Sequence, residues 1–252
     1  MKKIFVANFK MNKTNPEVLD YIQELNNHLP ESLSSDVCLC LPYTSLCLGK
    51  FLDERIAVGA QNMHEEDFGP FTGEISADML CCLGVKYVII GHSERRKYFN
   101  ETNEKINKKI KTALRHGLKV VLCVGETKVQ RNSKRTTEIL SQQIESALSG
   151  IFENELKGII IAYEPVWAIG TGKVASSEDI EEAVKTIRKL ISSHYSKQAA
   201  QDQKILYGGS LTSGTAKSIL KIDGICGALV GGASLDPNEL IKIISWFSLK
   251  VI

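Results

Sequence analysis

The sequence has almost no excess of charge of either sign. Its 252 residues include 31 lysines and arginines and 29 aspartates and glutamates. Such a balance gives no overall electrostatic field that would select a nucleic acid or an anionic membrane. We therefore expect any anion that the protein binds to be recognised locally, by a few groups at one site.

The chain also lacks a long apolar run and any paired cysteine motif. No apolar run approaches the ~20 residues that a membrane helix needs, and we expect no signal peptide, because the first predicted strand follows almost directly on Met1. The seven cysteines include no CxxC pair, so a zinc site or a thioredoxin-type redox site has little support. We expect reduced, buried thiols, including the adjacent Cys81 and Cys82, in a cytoplasmic protein.

Eight short apolar segments alternate with longer amphipathic segments along the chain. Uninterrupted runs such as Val88-Ile89-Ile90 are typical of strands that are covered on both faces of a parallel sheet. The predicted strands are residues 4–7, 37–41, 57–60, 87–90, 119–124, 158–162, 205–207 and 228–230.

One segment between strands shows clearly the spacing of an amphipathic helix. Between residues 177 and 195, apolar side chains recur three and four residues apart, which places them on one stripe. They are Ile180, Ala183, Val184, Ile187, Leu190 and Ile191. Ser176 is the predicted N-cap, because Asp179 follows three residues later and can complete a capping box.

The alternation of strands and helices predicts a parallel sheet, which is either open and doubly wound or closed into a barrel. Eight units in 252 residues match the size of an α/β fold of the (β/α)8 barrel type, in which helices surround eight parallel strands. No segment has the composition of an interdomain linker. We therefore predict one barrel domain over residues 1–252, with an open sheet as the alternative.

Polar residues and glycines follow five of the predicted strands. In a parallel barrel the active site lies at the carboxyl ends of the strands, so these residues should meet at one face. They are Asn8 and Lys10 after the first strand, His92 after the fourth, Glu164 after the sixth, Gly208-Gly209-Ser210 after the seventh and Gly231-Gly232 after the eighth. On an extended segment, Asn8 and Lys10 should point the same way.

The glycine pairs Gly208-Gly209 and Gly231-Gly232 predict a phosphate site. Glycine lets the backbone approach a ligand, and free N–H groups at a helix start attract an anion. One pair alone more often only turns the chain, but two pairs after strands seven and eight match the usual phosphate site of barrels. The segment 170–173 fails the GxxxxGK[ST] pattern, because Trp167 stands at its first glycine and Val174 follows the lysine. It suits a hinged lid better.

Three titratable side chains at this face can carry chemistry. Lys10 can neutralise a substrate anion, although a lone lysine is usually a solvated charge. His92 precedes a predicted helix start, which disfavours a positive charge, so its imidazole should tend to be neutral. Glu164 ends an apolar strand, and a desolvated carboxylate is a stronger base. Without metal-ligand spacing nearby, this set predicts proton abstraction next to a carbonyl, with no metal and no cofactor.

These residues belong to longer stretches by which the sequence resembles the triosephosphate isomerases from end to end. The stretches are residues 8–12, 60–62, 71–76, 91–96, 123–126, 162–173, 207–210 and 229–234. The resemblance implies a TIM barrel that interconverts dihydroxyacetone phosphate and glyceraldehyde-3-phosphate through an enediolate, a step of glycolysis and gluconeogenesis.

The resemblance also implies roles for the site residues. Glu164 would carry the proton between two carbons, and His92 would polarise the carbonyl. Lys10 would offset the charge of the enediolate and the phosphate, and Asn8 would help to hold the substrate. The phosphate would be bound mainly by backbone N–H groups of Gly170, Ser210, Gly231 and Gly232.

Five further residues are assigned by the same resemblance or left open by it. Ile169 and Leu229 match the apolar pair that closes over the base. Glu94 stays open between a role near the site and a structural ion pair. Arg96 and Glu126 are expected to form a structural pair with each other.

The third loop of the predicted barrel indicates self-association. It has about fifteen residues, which is long for such a connection, and it includes the bulky apolar side chains of Phe68 and Phe71. The alternative is that the loop folds onto its own barrel. The resemblance implies a homodimer in which Thr72 lies near Asn8 and Lys10 of the other chain.

Two other classes share part of this pattern. Another barrel enzyme of phosphorylated sugars, such as an epimerase or a lyase, would have the same phosphate loops. A non-catalytic binding barrel would need no base. The joint presence of Lys10, His92 and Glu164 favours an active isomerase.

Overall fold

Eight parallel strands close into a barrel. The computed structural model describes residues 2–169 and 174–245, and eight strands lie in these ranges. The strands are β1 (Ile4–Asn8), β2 (Asp36–Leu41), β3 (Ile56–Ala60), β4 (Tyr87–Ile90), β5 (Lys119–Val124), β6 (Ile159–Tyr163), β7 (Ile205–Tyr207) and β8 (Gly227–Val230). Each strand pairs with the next, and β8 pairs with β1. The (β/α)8 prediction is therefore confirmed, and the open-sheet alternative is wrong.

Helices connect the strands. In the described residues they are α1 (Asn15–His28), α2 (Ala77–Cys82), α3 (Ser93–Tyr98), α4 (Asn103–Arg115), α5 (Lys128–Asn132), α6 (Thr136–Ala147), α7 (Ser177–His194), α8 (Lys197–Asp202), α9 (Ser213–Ile219) and α10 (Pro237–Ser245). Short 3-10 helices cover Tyr43–Phe51, Glu153–Gly158, Val166–Ala168 and Gly232–Leu235. None of the helices in the described ranges is both long enough and apolar enough to cross a membrane.

The helix predicted between residues 177 and 195 is α7, and its predicted start is confirmed. Ser176 Oγ accepts a hydrogen bond from the Asp179 N–H at 3.1 Å. In return, the Asp179 carboxylate accepts one from the Ser176 N–H at 3.4 Å. This reciprocal capping satisfies two N–H groups that the first turn of a helix otherwise leaves without a partner.

Alternation of side chains along the strands divides the core into two parts. On β1, Ile4 and Val6 belong to the cluster inside the barrel, whereas Phe5 and Ala7 belong to the cluster between strands and helices. The outer cluster also takes in the buried stripe of α7. Because both faces of the strands are covered, the strands are continuous apolar runs. This is why their bounds could be predicted to within one residue.

The cysteines are in the thiol form. Cys38, Cys40 and Cys123 are buried inside the barrel, as predicted. The prediction of burial is wrong for Cys47 and Cys82, which are exposed, and for Cys81, which is half-buried on α2 beside Cys82. The helix α2 packs only one side against the barrel, so two adjacent residues cannot both face the core.

Candidate active site

The carboxyl ends of the strands surround a cavity of about 500 Å³. The described residues that line it are Asn8, Lys10, His92, Glu164, Ile169, Gly208, Gly209, Ser210, Leu211, Thr212, Leu229, Gly231, Gly232, Ala233 and Glu239. They include every predicted site residue except Gly170. That residue, with the rest of the predicted lid segment 170–173, lies outside the described residues.

Glu164 follows β6 and is 2% exposed. Its Oε2 accepts a hydrogen bond from the Ser93 N–H at 2.9 Å. Its Oε1 lies 3.0 Å from His92 Nε2, which is within ion-pair distance, and has no other partner among the described residues. This oxygen belongs to a side chain that lines the cavity.

Opposing effects act on the pKa of Glu164. Burial raises the pKa of this carboxyl, because desolvation disfavours the charged form. The neighbouring His92, the Ser93 N–H and Lys10 together outweigh burial and hold the pKa of Glu164 below its ordinary value of 4.5. The carboxylate is therefore ionised at neutral pH, which is the form that a base requires.

His92 is the N-cap residue of α3, and its environment selects one tautomer of the neutral ring. Its Nδ1 accepts a hydrogen bond from the Glu94 N–H at 3.3 Å, so the proton of a neutral ring is on Nε2, beside Glu164. Burial lowers the pKa of His92, but the carboxylates of Glu164 and Glu94 outweigh burial and raise it above its ordinary value of 6.5. This direction is opposite to the one that the helix start predicts, because Glu164 touches the ring.

Lys10 lies beyond the end of β1 in an unusual backbone conformation. Its φ of +51° is in the left-handed region, which a residue with a side chain rarely adopts. Asn8 Oδ1 accepts a hydrogen bond from the Lys10 N–H at 3.0 Å, and Gln61 Nε2 donates one to the Lys10 carbonyl oxygen at 2.9 Å. Asn8 and Lys10 line the same cavity, as predicted, but this turn and not strand alternation brings them together. The hydrogen bond from Gln61 to this turn was not predicted from the sequence.

Glu94 contacts two of the site residues. Lys10 Nζ forms an ion pair with Glu94 Oε1 at 2.6 Å, where both side chains are partly exposed. Glu94 Oε2 lies 3.6 Å from His92 Nδ1. Glu94 is therefore in an ion pair and also beside the site, so both interpretations of its role stay open.

The structure explains the glycines after β7 and the glycine Gly232 after β8 in different ways. A Cβ at Gly209 would lie 2.3 Å from the Tyr207 hydroxyl oxygen, and one at Gly208 would lie 2.9 Å from Glu164 Cγ. These two glycines therefore make room for neighbouring protein atoms. A Cβ at Gly232 would meet nothing within 4 Å, so the backbone there is open. Packing thus explains the first pair, whereas close approach of a ligand fits Gly232.

The remaining predicted residues lie around the same cavity. Ser210 Oγ donates a hydrogen bond to the Ala168 carbonyl oxygen at 2.5 Å and joins the loop after β7 to the segment after β6. Ile169 and Leu229 both line the cavity. The apolar pair and the phosphate loops are therefore neighbours.

The predicted pair of Arg96 and Glu126 is wrong. Arg96 donates hydrogen bonds to the carbonyl oxygens of Gly91 at 2.7 Å and Cys123 at 3.1 Å and to Asn103 Oδ1 at 2.6 Å. These acceptors hold the turn after β4 against β5. Glu126 has other donors, which are the Tyr163 hydroxyl, Trp167 Nε1 and Arg131 Nη1. A sequence does not show which of several buried donors will reach a carboxylate.

The fold and the cavity together define a class of protein: a (β/α)8 barrel with a carboxylate, an imidazole and an ammonium group beside two glycine-containing loops. A family model described as triosephosphate isomerase matches residues 3–247. The triosephosphate isomerase of Alkaliphilus metalliredigens is 48% identical over 247 residues, which are 97% of this chain and 99% of that protein. Those of Finegoldia magna and Clostridium beijerinckii are 46% and 41% identical, with 97% of this chain and 98% and 99% of theirs covered. The chain belongs to the triosephosphate isomerase family.

Proposed function

We propose that this protein interconverts dihydroxyacetone phosphate and glyceraldehyde-3-phosphate by moving a proton between two carbons. The observation that carries the proposal is the pair of Glu164 and His92 in the cavity, where a buried, ionised carboxylate lies 3.0 Å from an imidazole nitrogen. The carboxylate can take a proton from a carbon acid that reaches the cavity, and the imidazole is close enough to hydrogen-bond the neighbouring oxygen of that substrate. Membership of the family supports this pair of substrates.

Glu164 and His92 divide the proposed reaction between them. With the substrate carbonyl next to His92, Glu164 removes the proton from the adjacent carbon, and the electrons of that C–H bond form the enediolate. The Nε2–H of His92 donates a hydrogen bond to the developing oxyanion. Glu164, now protonated, returns the proton to the other carbon, so one carboxyl group acts twice in each cycle.

In this scheme the imidazole of His92 is neutral throughout and gives up no proton. Burial lowers the pKa of His92, and the carboxylates of Glu164 and Glu94 raise it. When Glu164 takes up the substrate proton, its negative charge is lost, and burial then favours the same neutral imidazole more strongly. A neutral imidazole donates its Nε2–H to the enediolate while Nδ1 keeps the hydrogen bond from the Glu94 N–H.

The phosphate of the substrate would lie on the other side of the cavity. Ser210, Gly231 and Gly232 line it there, and their backbone N–H groups are suitable donors to an anion. Lys10 is the only lysine or arginine among the described residues that line the cavity. We propose that Lys10 offsets the negative charge of the enediolate and the phosphate. Asn8 would form a hydrogen bond to the substrate.

The test is a coupled assay with each of the two triose phosphates as substrate. Turnover in both directions supports the proposal. Binding of both compounds without turnover would instead identify a non-catalytic binding barrel. The assay should be repeated with a variant in which Lys10 is replaced by methionine, where we expect a higher KM as well as a lower kcat.

Two treatments separate the isomerase from related barrel enzymes. In the described residues, no three His, Cys, Asp or Glu side chains are grouped to hold a metal ion, and metal independence remains a prediction. Exhaustive chelation should leave the rate unchanged, whereas a loss that a divalent ion restores would indicate a metal-dependent epimerase. Borohydride with substrate should trap no adduct on a lysine, whereas an adduct would indicate a Schiff-base lyase.

We also propose a homodimer formed through the third loop. Phe68 in this loop is 90% exposed, and Met11, next to the site, is 97% exposed. A second depression of about 220 Å³ borders Asn8, Lys10 and Met11. A loop of a second copy that carries Thr72 would cover this apolar surface and reach the site. A fully active monomer in sedimentation at micromolar concentration would contradict this proposal.

Two further expectations remain proposals. We place the protein in the cytoplasm, where its thiols would stay reduced, and cell fractionation would test this. We also propose that residues 1–252 form one barrel domain. A single cooperative unfolding transition of the whole chain would support that organisation.

A further inference from the structure

A carboxylate that the sequence patterns do not single out lies at the predicted phosphate site. Glu239 is in the first turn of α10 and lines the same cavity as Ser210, Gly231 and Gly232. Its Oε1 accepts a hydrogen bond from the Ser213 N–H at 2.7 Å. The side chain is 25% exposed, so its charge acts through the cavity as well as through solvent.

This hydrogen bond joins the two loops that would hold the phosphate. Ser213 is the first residue of α9 and directly follows the loop after β7. Glu239 is on the helix that follows the loop after β8. The N–H of Thr212, the residue between Ser210 and α9 that caps this helix, is bonded to Thr215 Oγ1 at 3.0 Å. Glu239 thus links the start of α9 to α10 at the mouth of the cavity.

The position of Glu239 is electrostatically unfavourable for an anionic ligand. The acidic and basic side chains that line the described cavity are Lys10, His92, Glu164 and Glu239. The ammonium of Lys10 is already paired with Glu94 at 2.6 Å. Lys242 Nζ lies 4.0 Å from Glu239 Oε2, but it is mostly exposed and therefore screened by solvent. A phosphate dianion in this cavity would meet the charge of Glu239 with little compensation.

We propose that Glu239 is a positioning residue that holds the loop after β7 for the phosphate, and that its negative charge weakens the binding of phosphate dianions. The inference rests on the proposed function, because it places the phosphate between the loops after β7 and β8. The charge of Glu239 promotes release of the phosphorylated product, while its hydrogen bond keeps Ser210 in place.

Two substitutions separate the hydrogen bond from the charge. Glu239→Gln keeps an oxygen that accepts from the Ser213 N–H and removes the charge. We expect the Ki of inorganic phosphate and the KM of glyceraldehyde-3-phosphate to fall about two- to tenfold at low ionic strength. The difference should largely vanish at about 0.5 M salt, since exposed charges are then screened over a few ångströms. Glu239→Ala also removes the acceptor, so both constants should be about fivefold or more above those of Glu239→Gln, with a smaller change in kcat.

Glu145→Gln on α6 is the matched control, since it changes the net charge equally on an exposed side chain outside the cavity lining. It should leave both constants at the parent values. A Ki for Glu239→Gln equal to that of the parent at low salt would overturn the role of the charge. Equal constants for Glu239→Ala and Glu239→Gln would overturn the positioning role.

Failure of the proposed function would give a different result. The parent protein would then neither turn over triose phosphates nor bind inorganic phosphate competitively, and both proposals would fall together. The melting temperatures of both variants show whether a change comes from the site or from the fold. If Glu239→Ala does not fold, the constants of Glu239→Gln still decide whether the charge acts as proposed.

Discussion

Two buried glutamates at the same end of the barrel have very different surroundings. Glu126 follows β5 and Glu164 follows the adjacent β6, and their exposed fractions are 0% and 2%. Glu126 Oε1 accepts from Trp167 Nε1 at 2.9 Å, and its Oε2 accepts from the Tyr163 hydroxyl at 3.1 Å. Glu164 has one oxygen bonded to the Ser93 N–H, and the other has no partner in the described residues except His92 Nε2, at 3.0 Å. Although the two side chains are similarly buried, the contacts of Glu126 suit a structural role and those of Glu164 suit a reactive one.

Reactivity depends on where a carboxylate oxygen with few partners lies, and not only on how few partners it has. Burial of a charged group is costly unless hydrogen bonds or ion pairs compensate it, and the donors around Glu126 supply this. Glu101 Oε2 also has no partner in the described residues, but the other oxygen of Glu101 is paired with Lys109 and Arg95. Glu101 lines none of the cavities described above, whereas Glu164 does. An unpartnered carboxylate oxygen indicates chemistry when a substrate can reach it.

The largest expected effect is on catalysis at Glu164. Glu164→Gln should lower kcat by about 10²–10⁴-fold, or roughly 3–5 kcal/mol of activation free energy, because an amide cannot accept the substrate proton. The melting temperature should stay close to that of the parent, and the Ki of inorganic phosphate should change far less than kcat, falling slightly because a negative charge leaves the cavity. Steady-state kinetics in both directions measure the effect. A kcat comparable to that of the parent would remove Glu164 from the role of the base.

A smaller effect, on stability, is expected at Glu126. Glu126→Ala should lower the free energy of unfolding by about 2–4 kcal/mol, because the Tyr163 hydroxyl and Trp167 Nε1 lose this acceptor inside the protein. Urea unfolding of the variant and the parent measures the difference. The kcat at a temperature where both are folded should fall much less than in Glu164→Gln. A variant as stable as the parent but as inactive as Glu164→Gln would reverse the comparison.

The smallest effect concerns the titration of His92. Burial lowers the pKa of His92 and the charges of Glu164 and Glu94 raise it, so Glu164→Gln should move the titration of His92 to lower pH. A raised histidine pKa adds stability that is present below the ordinary pKa and is lost as pH rises through the raised value. Glu164→Gln should therefore also reduce this pH dependence of unfolding. NMR of the imidazole signals measures the shift. In Glu126→Ala the pKa of His92 should not change. An equal change in that variant would mean that Glu164 does not cause the raised pKa of His92.

The comparison also shows where sequence reasoning was sufficient and where it was not. Glu164 could be predicted as a site residue because it directly follows a buried strand of a parallel barrel. Glu126 follows a strand in the same way, and its partners could not be predicted: the expected Arg96 was wrong and Arg131, Trp167 and Tyr163 were missed. Side-chain reach in three dimensions chooses among donors that are equally plausible in the sequence.

Two other features of the site were beyond sequence reasoning. The left-handed conformation of Lys10 depends on Gln61, which is 51 residues further along the chain. The hydrogen bond from the Ser213 N–H to Glu239 joins residues of two helices that are 26 positions apart in the sequence. Neither position has a local periodicity or motif that would reveal the contact.

By itself the sequence determined the strands, the barrel and the face on which the site lies. Those properties follow from short-range patterns, since apolar runs, helical stripes and glycine turns are written in consecutive residues. Only the tertiary structure decided the states of the groups at that face. It set the ion pair of Lys10 with Glu94, the contact of Glu164 Oε1 with His92 Nε2 and the raised pKa of His92. These depend on distances of about 3 Å between side chains from different strands, where a small displacement makes or removes a hydrogen bond.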